Sequence, residues 1–191
     1  MKTGLVLIDI QNDYFPGGRC ELHEPLKAVE NAEKVLDFFR KANLSVFHVQ
    51  HISVKEGATF FLPNTEGVKI HPHVAPRKNE YVVQKNYPNS FRKTNLLQLL
   101  QREGIEHLVI CGMMTHMCID TTVRAASDLE FECTVIEDAC TTKDLVFNNE
   151  TIQAKHVHVA FMSALNNMFA KVIKTTEFLS NEMYIQVEKT T

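Results

Sequence analysis

The sequence predicts an α/β protein: a three-layer α/β/α sandwich around a central, mostly parallel sheet. Three observations predict it. Short runs rich in β-branched residues recur along the chain. Several are apolar without alternation, the pattern of strands covered on both faces. Stretches of helical periodicity separate them, and alternating strands and helices of this kind form a parallel sheet with right-handed crossovers.

Each element has its own reason. LVLID (5–9), SVFHVQ (45–50), YVVQK (81–85), HLVICG (107–112) and CTVIED (133–138) read as strands. Between the first two, Val29, Ala32, Leu36 and Phe39 form one apolar stripe of a helix. TNLLQLLQREG reads as a second helix, with Thr94 as N-cap and Gly104 as its stop. IDTTVRAASDLE and IQAKHVHVAFMSALNNMFA supply two more, and KVIKTTEFL (171–179) a last strand and a short closing helix.

Composition narrows the function classes. The 191 residues, 45% of them apolar, suit one globular domain spanning 1–191. A net charge of −3, with the basic residues dispersed, gives no footprint for nucleic acid or an acidic membrane. No run approaches the ~20 apolar residues of a membrane span, and MKTGLVLIDIQNDY does not read as a secretory signal. Five cysteines, none in a C-x-x-C pair, fit free thiols in a reducing, cytoplasmic setting.

Ligands of such folds sit beyond the carboxyl ends of the strands, so the strand ends are where chemistry is sought. Asp9 ends the first strand between Ile8 and Ile10, a place where a carboxylate loses water. Lys85 ends the third, an equally awkward place for an ammonium. Cys118 follows the fourth and precedes a helix, whose positive end and a nearby ammonium would lower a thiol pKa. Together they could act as a device in which Lys85 stabilises the thiolate, Asp9 moves the proton and Cys118 attacks. Singly, each has a plainer reading: a turn-capping Asp, a solvated lysine guarding an edge strand, and a small buried hydrophobe. Spacing alone does not bring the three together.

The stretches LVLIDIQNDYF, VVQKNYPNSF and GMMTHMCIDTTVRAASDLEFECTVIEDAC strongly resemble the isochorismatase-like cysteine hydrolases, almost end to end. That superfamily includes nicotinamidases, N-carbamoylsarcosine amidases and isochorismatases. The resemblance implies that Asp9, Lys85 and Cys118 form an Asp–Lys–Cys triad. It implies a non-proline cis peptide at Met113–Met114 and an oxyanion hole from the backbone N–H groups of Met114 and Cys118. It further implies a homodimer or homotetramer, for which the apolar helix 152–169 is one contact surface and simple core burial the other reading.

Nicotinamidases add a metal site with a D-x-H pattern after the second strand. Here that region reads FHVQHISVKEG, with His48 and His51 but no Asp, and His71 and His73 follow. Solvated histidines are therefore expected, with no metal and no cofactor. His156 and His158, two apart in a helix, diverge. Cys111 and Cys133 read as packing residues, Cys140 as a βα-turn residue without chemistry, and Cys20 as a loop bystander. For the substrate pocket, Phe15 and Phe91 are candidate walls, with core burial as the alternative. Thr115 is a candidate partner of the turn before Cys118, and His116 a candidate for the pocket or a neighbouring subunit.

The expected activity is hydrolysis of an amide or carbamoyl C–N bond in a small molecule, through a Cys118 thioester. The alternatives are vinyl-ether cleavage with Asp9 as the acid, and a non-catalytic thiol module for binding or redox sensing.

Overall fold

The computed structural model describes residues 1–180. Its elements are β1 (Thr3–Ile8), α1 (Pro25–Lys41), β2 (Ser45–His51), β3 (Tyr81–Lys85), α2 (Leu96–Arg102), β4 (His107–Met113) and α3 (Asp120–Asp128). Then come β5 (Glu132–Thr141), β6 (Leu145–Phe147), β7 (Glu150–Ile152), α4 (Ala154–Leu165), β8 (Lys171–Ile173) and α5 (Thr175–Ser180). The main sheet has six strands in the order β3-β2-β1-β4-β5-β8, and every neighbouring pair is parallel. Helices cover both faces, so the expected three-layer α/β class is the observed one.

The two faces explain the unbroken apolar strands. In β1, Leu5 and Leu7 pack with α1 and α5, whereas Val6 and Ile8 belong to the cluster built with α2, α3 and α4. Pro25 begins α1, where its missing N–H costs nothing. Ala28, Val29, Ala32, Val35, Leu36 and Phe39 form its buried stripe. Phe178 of α5 closes that layer, with its ring 5.4 Å from Phe38 and 6.1 Å from Phe39.

α2 begins one residue after Asn95, yet the Thr94 hydroxyl accepts the Leu96 N–H at 3.3 Å, and Gly104 turns the chain at φ +65°. In α4, Ala154, Val157, Met162 and Leu165 are buried while Val159 is exposed, so only one side of this helix is covered by the described residues. The β6–β7 hairpin is absent from the expected elements. Each strand has three residues, too few for a period to register, and Asn148–Asn149, both at positive φ, make the turn.

Cys140 departs from expectation by lying within β5, not in a turn: the strand continues to Thr141 past a bulge and pairs Cys140 with Gly112. It is buried, as are Cys111 and Cys133; Cys20 is half-buried; and all five thiols are free. No helix among the described residues is long and apolar enough to cross a membrane.

Ahead of β3, Glu80 ties the sheet to α1. Its oxygens lie 2.7 and 2.9 Å from the Arg40 guanidinium and 2.8 Å from His48 Nε2, and the Arg77 N–H donates to it at 2.8 Å. Burial alone would raise the Glu80 carboxyl, but Arg40, the Arg77 N–H and His48 hold it down to about 2. A depressed carboxyl stabilises the native state above its unfolded value of ~4.3 and loses that contribution as pH falls toward its folded value. Glu80→Gln therefore lowers the unfolding free energy at neutral pH by roughly 3 kcal/mol, because it leaves the Arg40 guanidinium without its counter-ion. The deficit against wild type should shrink below pH ~4 in urea titrations. A deficit that stays constant with pH would contradict this account.

Candidate active site

Strand order reverses between β1 and β4: the chain runs outward to β2 and β3 on one side, then returns to build β4, β5 and β8 on the other. The crevice beyond the carboxyl ends of β1 and β4 is where such folds place their ligands. Asp9 immediately follows β1, Lys85 ends β3, and Cys118 stands in the turn between β4 and α3.

The fold brings these three together and buries them, with Asp9 wholly covered, Lys85 1% exposed and Cys118 5%. Lys85 Nζ lies 2.8 Å from Asp9 Oδ2 and donates to the Pro88 carbonyl at 3.0 Å. The plainer reading of Lys85 as a solvated edge lysine fails on this burial, although β3 is indeed an edge strand. Burial would lower its pKa, but Asp9 and then Cys118 reverse that and hold it above its ordinary value. Neither Asp9 oxygen has a partner in hydrogen-bonding geometry among the described residues, so the Lys85 contact is an ion pair. Asp9 itself has φ +53°, and its N–H bonds to the Val49 carbonyl at 2.9 Å. A left-handed backbone at a non-glycine residue is uncommon and clusters at functional sites.

The Met113–Met114 peptide is cis. It leads into a π-helical turn, Thr115–Ile119, in which the N–H groups of Met117 and Ile119 both bond to the Met114 carbonyl, at 3.0 and 3.2 Å. Thr115 pairs its hydroxyl with His158 Nδ1 at 2.9 Å, and His116 Nδ1 pairs with the Thr142 hydroxyl at 2.5 Å. Both side chains thus brace the turn against α4 and the segment after β5. His158 points inward while His156 is exposed, the divergence expected of residues two apart.

The resting thiol is a correction. Helix end and ammonium were expected to activate Cys118. Instead burial raises its pKa, Asp9 raises it further, and Lys85 opposes both without prevailing. Cys118 rests as a thiol. Its alkylation by iodoacetamide should accordingly keep climbing as pH rises above neutrality; a plateau reached below pH ~7 would show a low-pKa thiolate instead.

The candidate pocket residues separate. Phe15 is buried and stacks on His71 at 3.9 Å, within the cluster that contains Met113 and Met114. Phe91 is not brought to the site. It stacks on Phe131 at 6.2 Å, at the end of the sheet where β5 begins, because the chain after β3 turns back along the sheet. Its neighbour Ser90 is the residue that locks this segment to α3, with its N–H and hydroxyl 3.1 and 2.9 Å from the Thr122 hydroxyl.

Three residues that the sequence reading passed over, and one that it expected to be a solvated histidine, shape the centre. Tyr14 is held above its ordinary pKa by burial first, then by Cys118 and Asp9. Gln11 is fully buried and clamps the His51 backbone, accepting its N–H at 2.7 Å and donating to its carbonyl at 2.9 Å. Asp13 gathers two loops by accepting the N–H groups of Phe61 at 2.6 Å and Arg19 at 3.2 Å. A Cβ on Gly67 would lie 2.1 Å from its carboxylate. The fourth is His51, at the end of β2 in register with Lys85, with Nδ1 4.0 Å from Asp9 Oδ2.

The histidines do not make the metal site of a nicotinamidase. His48 is buried against Glu80, His71 lies under Phe15, and His73 pairs with Glu33 at 2.6 Å. Of these four, His51 reaches the centre, where among the described residues Asp9, already paired with Lys85, and Cys118 stand beside it.

The isochorismatase domain model matches residues 3–177. The uncharacterized isochorismatase family protein YddQ of Bacillus subtilis is 52% identical over 179 residues, covering 94% of this chain and 99% of its own. A crystal structure of an isochorismatase-hydrolase-type protein from Oleispira antarctica superposes with a TM-score of 0.91 at 48% identity, over 94% of this chain and 97% of that one. Nicotinamidase 3 of Arabidopsis thaliana is 25% identical, covering 83% of this chain and 81% of its own. The buried Asp9–Lys85–Cys118 group thus sits in a chain that belongs to the isochorismatase family and is a hydrolase.

Proposed function

We propose that this hydrolase cleaves an amide or carbamoyl C–N bond of a small molecule through a thioester on Cys118. The observation that carries the reading is the buried convergence of Asp9, Lys85 and Cys118 at the switch point of the sheet. A buried carboxylate within 4.8 Å of a buried thiol is placed to take its proton. Lys85 then compensates the charge that appears on sulfur. The thiolate attacks the carbonyl carbon, and the N–H groups of Met114 and Cys118 are the donors for the oxygen that becomes negative. The protonated Asp9 returns its proton to the leaving nitrogen, the C–N bond breaks, and water later releases the acid. The likeness to a nicotinamidase supports nitrogen as the leaving atom.

The test is an ammonia-release screen over small amides, ureides and carbamoyl amino acids, with Cys118→Ala as blank. Release that depends on Cys118 is the expected result. A variant that keeps the wild-type rate on every hit would overturn the reading.

A further inference from the structure

Resting on that reading, we propose that His51 is a catalytic residue of the second half-reaction, holding between itself and Asp9 the water that cleaves the Cys118 thioester. Asp9, His51 and Cys118 each present one polar atom, and these three atoms all lie within 4.8 Å of one another. The imidazole and carboxylate stand 4.0 Å apart at their nearest, too far for a direct hydrogen bond.

The spacing bears on what fits between them. Two groups bonded to one water or amino nitrogen at ~2.8 Å stand roughly 4.5 Å apart when the angle is tetrahedral. Ligands on a zinc ion at about 2.0–2.3 Å stand only ~3.5 Å apart. The 4.0 Å between His51 Nδ1 and Asp9 Oδ2 exceeds the zinc spacing, and the polar atoms of Asp9, His51 and Cys118 lie within 4.8 Å of one another, so one water fits among them. The Lys85 ammonium beside Asp9 also opposes a further cation.

His51 is built for holding rather than moving. Gln11 pins its backbone from both sides, and its ring is tilted over Phe61 at 5.9 Å. Its side chain is 17% exposed where those of Asp9 and Lys85 are wholly buried, so it stands between solvent and the buried pair. Burial keeps its pKa below the ordinary value, with Asp9 opposing and Lys85 reinforcing, so the ring is neutral and one nitrogen carries a lone pair.

The step balances without another reactant. Water donates one hydrogen bond to Asp9 and the other to the His51 lone pair, which leaves its own lone pair aimed at the thioester carbon on Cys118. Asp9 takes a proton as the carbon–oxygen bond forms. The carbon–sulfur bond then breaks, the departing thiolate recovers the proton from Asp9, and the carboxylic acid leaves.

The test uses 4-nitrophenyl acetate as acyl donor, with nitrophenol release and the intact mass of the enzyme followed together and Cys118→Ala as blank. In His51→Ala, steady turnover should fall ~100-fold while the first burst is retained, so that acetyl-Cys118 accumulates. Hydroxylamine, a nucleophile that needs no activation, should restore turnover. His51→Gln, which keeps an acceptor, should fall between the two. If turnover falls in both variants without an adduct building up, the role of His51 is overturned and the thioester reading stands. If wild type itself never carries acetyl on Cys118, the thioester reading falls and this inference with it.

Discussion

Replacing Cys118 with alanine should reduce C–N hydrolysis by at least ~10⁴-fold, and Asp9→Asn should reduce it comparably. The two groups act on one proton, so the double variant should be scarcely worse than either single one. The contrast between the single variants also identifies the reaction. Vinyl-ether cleavage needs a proton from Asp9 and no attack by sulfur, so there Asp9→Asn alone would be severe. Steady-state rates on a substrate from the ammonia screen decide the matter, and Cys118→Ala retaining near-wild-type turnover would favour the ether chemistry. A non-catalytic thiol module would show no turnover in any variant. Lys85→Met should impair both activity and folding, since it strands the wholly buried Asp9 carboxylate without its counter-ion, at a cost of about 3–5 kcal/mol.

Gly112→Ala should be the most damaging substitution for stability, lowering the unfolding free energy by ~4 kcal/mol or more. Gly112 has φ +142°, and a Cβ there would sit 2.1 Å from the Ile8 carbonyl oxygen and 2.8 Å from the Ile8 nitrogen. Both obstacles are backbone of the neighbouring central strand, so neither can rotate aside. The strands must part, and they carry Asp9 on one side and Met113–Met114 on the other. Displacement of ~1 Å at a reacting centre can cost ~100-fold in rate, so activity should fall even in the fraction that folds. Gly104→Ala is the control. It also has positive φ, +65°, but no atom lies within 4 Å of its Cβ position, so only the backbone cost of roughly 1 kcal/mol should remain. Urea midpoints that are equal for the two variants would show that the close approach of β1 and β4 is not what requires glycine at 112.

The layered α/β class and the six-strand sheet were legible in the chain because they rest on local or repeating signals. β-Branched runs covered on both faces have no alternation to lose, and α1 carries an apolar stripe over its whole length. Asp9, Lys85 and Cys118 could be singled out because a charge or a thiol at the end of an apolar strand is conspicuous. The β6–β7 hairpin escaped because two three-residue strands carry no period, although the Asn148–Asn149 pair was a usable turn signal.

What only the tertiary structure decided was who meets whom. Phe15 and Phe91 look alike in sequence, but one packs behind the turn before Cys118 and the other leaves with the chain toward β5. Of four histidines that invite a metal, Glu80, Phe15 and Glu33 engage three, and only His51 is delivered to the centre by its register with Lys85. The direction of the Cys118 pKa follows the same rule: the sequence places a thiol near an ammonium, but burial and then Asp9 push it up against the pull of Lys85. Periodicity and strand-end position are properties of a segment, readable residue by residue. Desolvation and pairing depend on atoms contributed by distant segments, and those are fixed only when the strands of the sheet come into register.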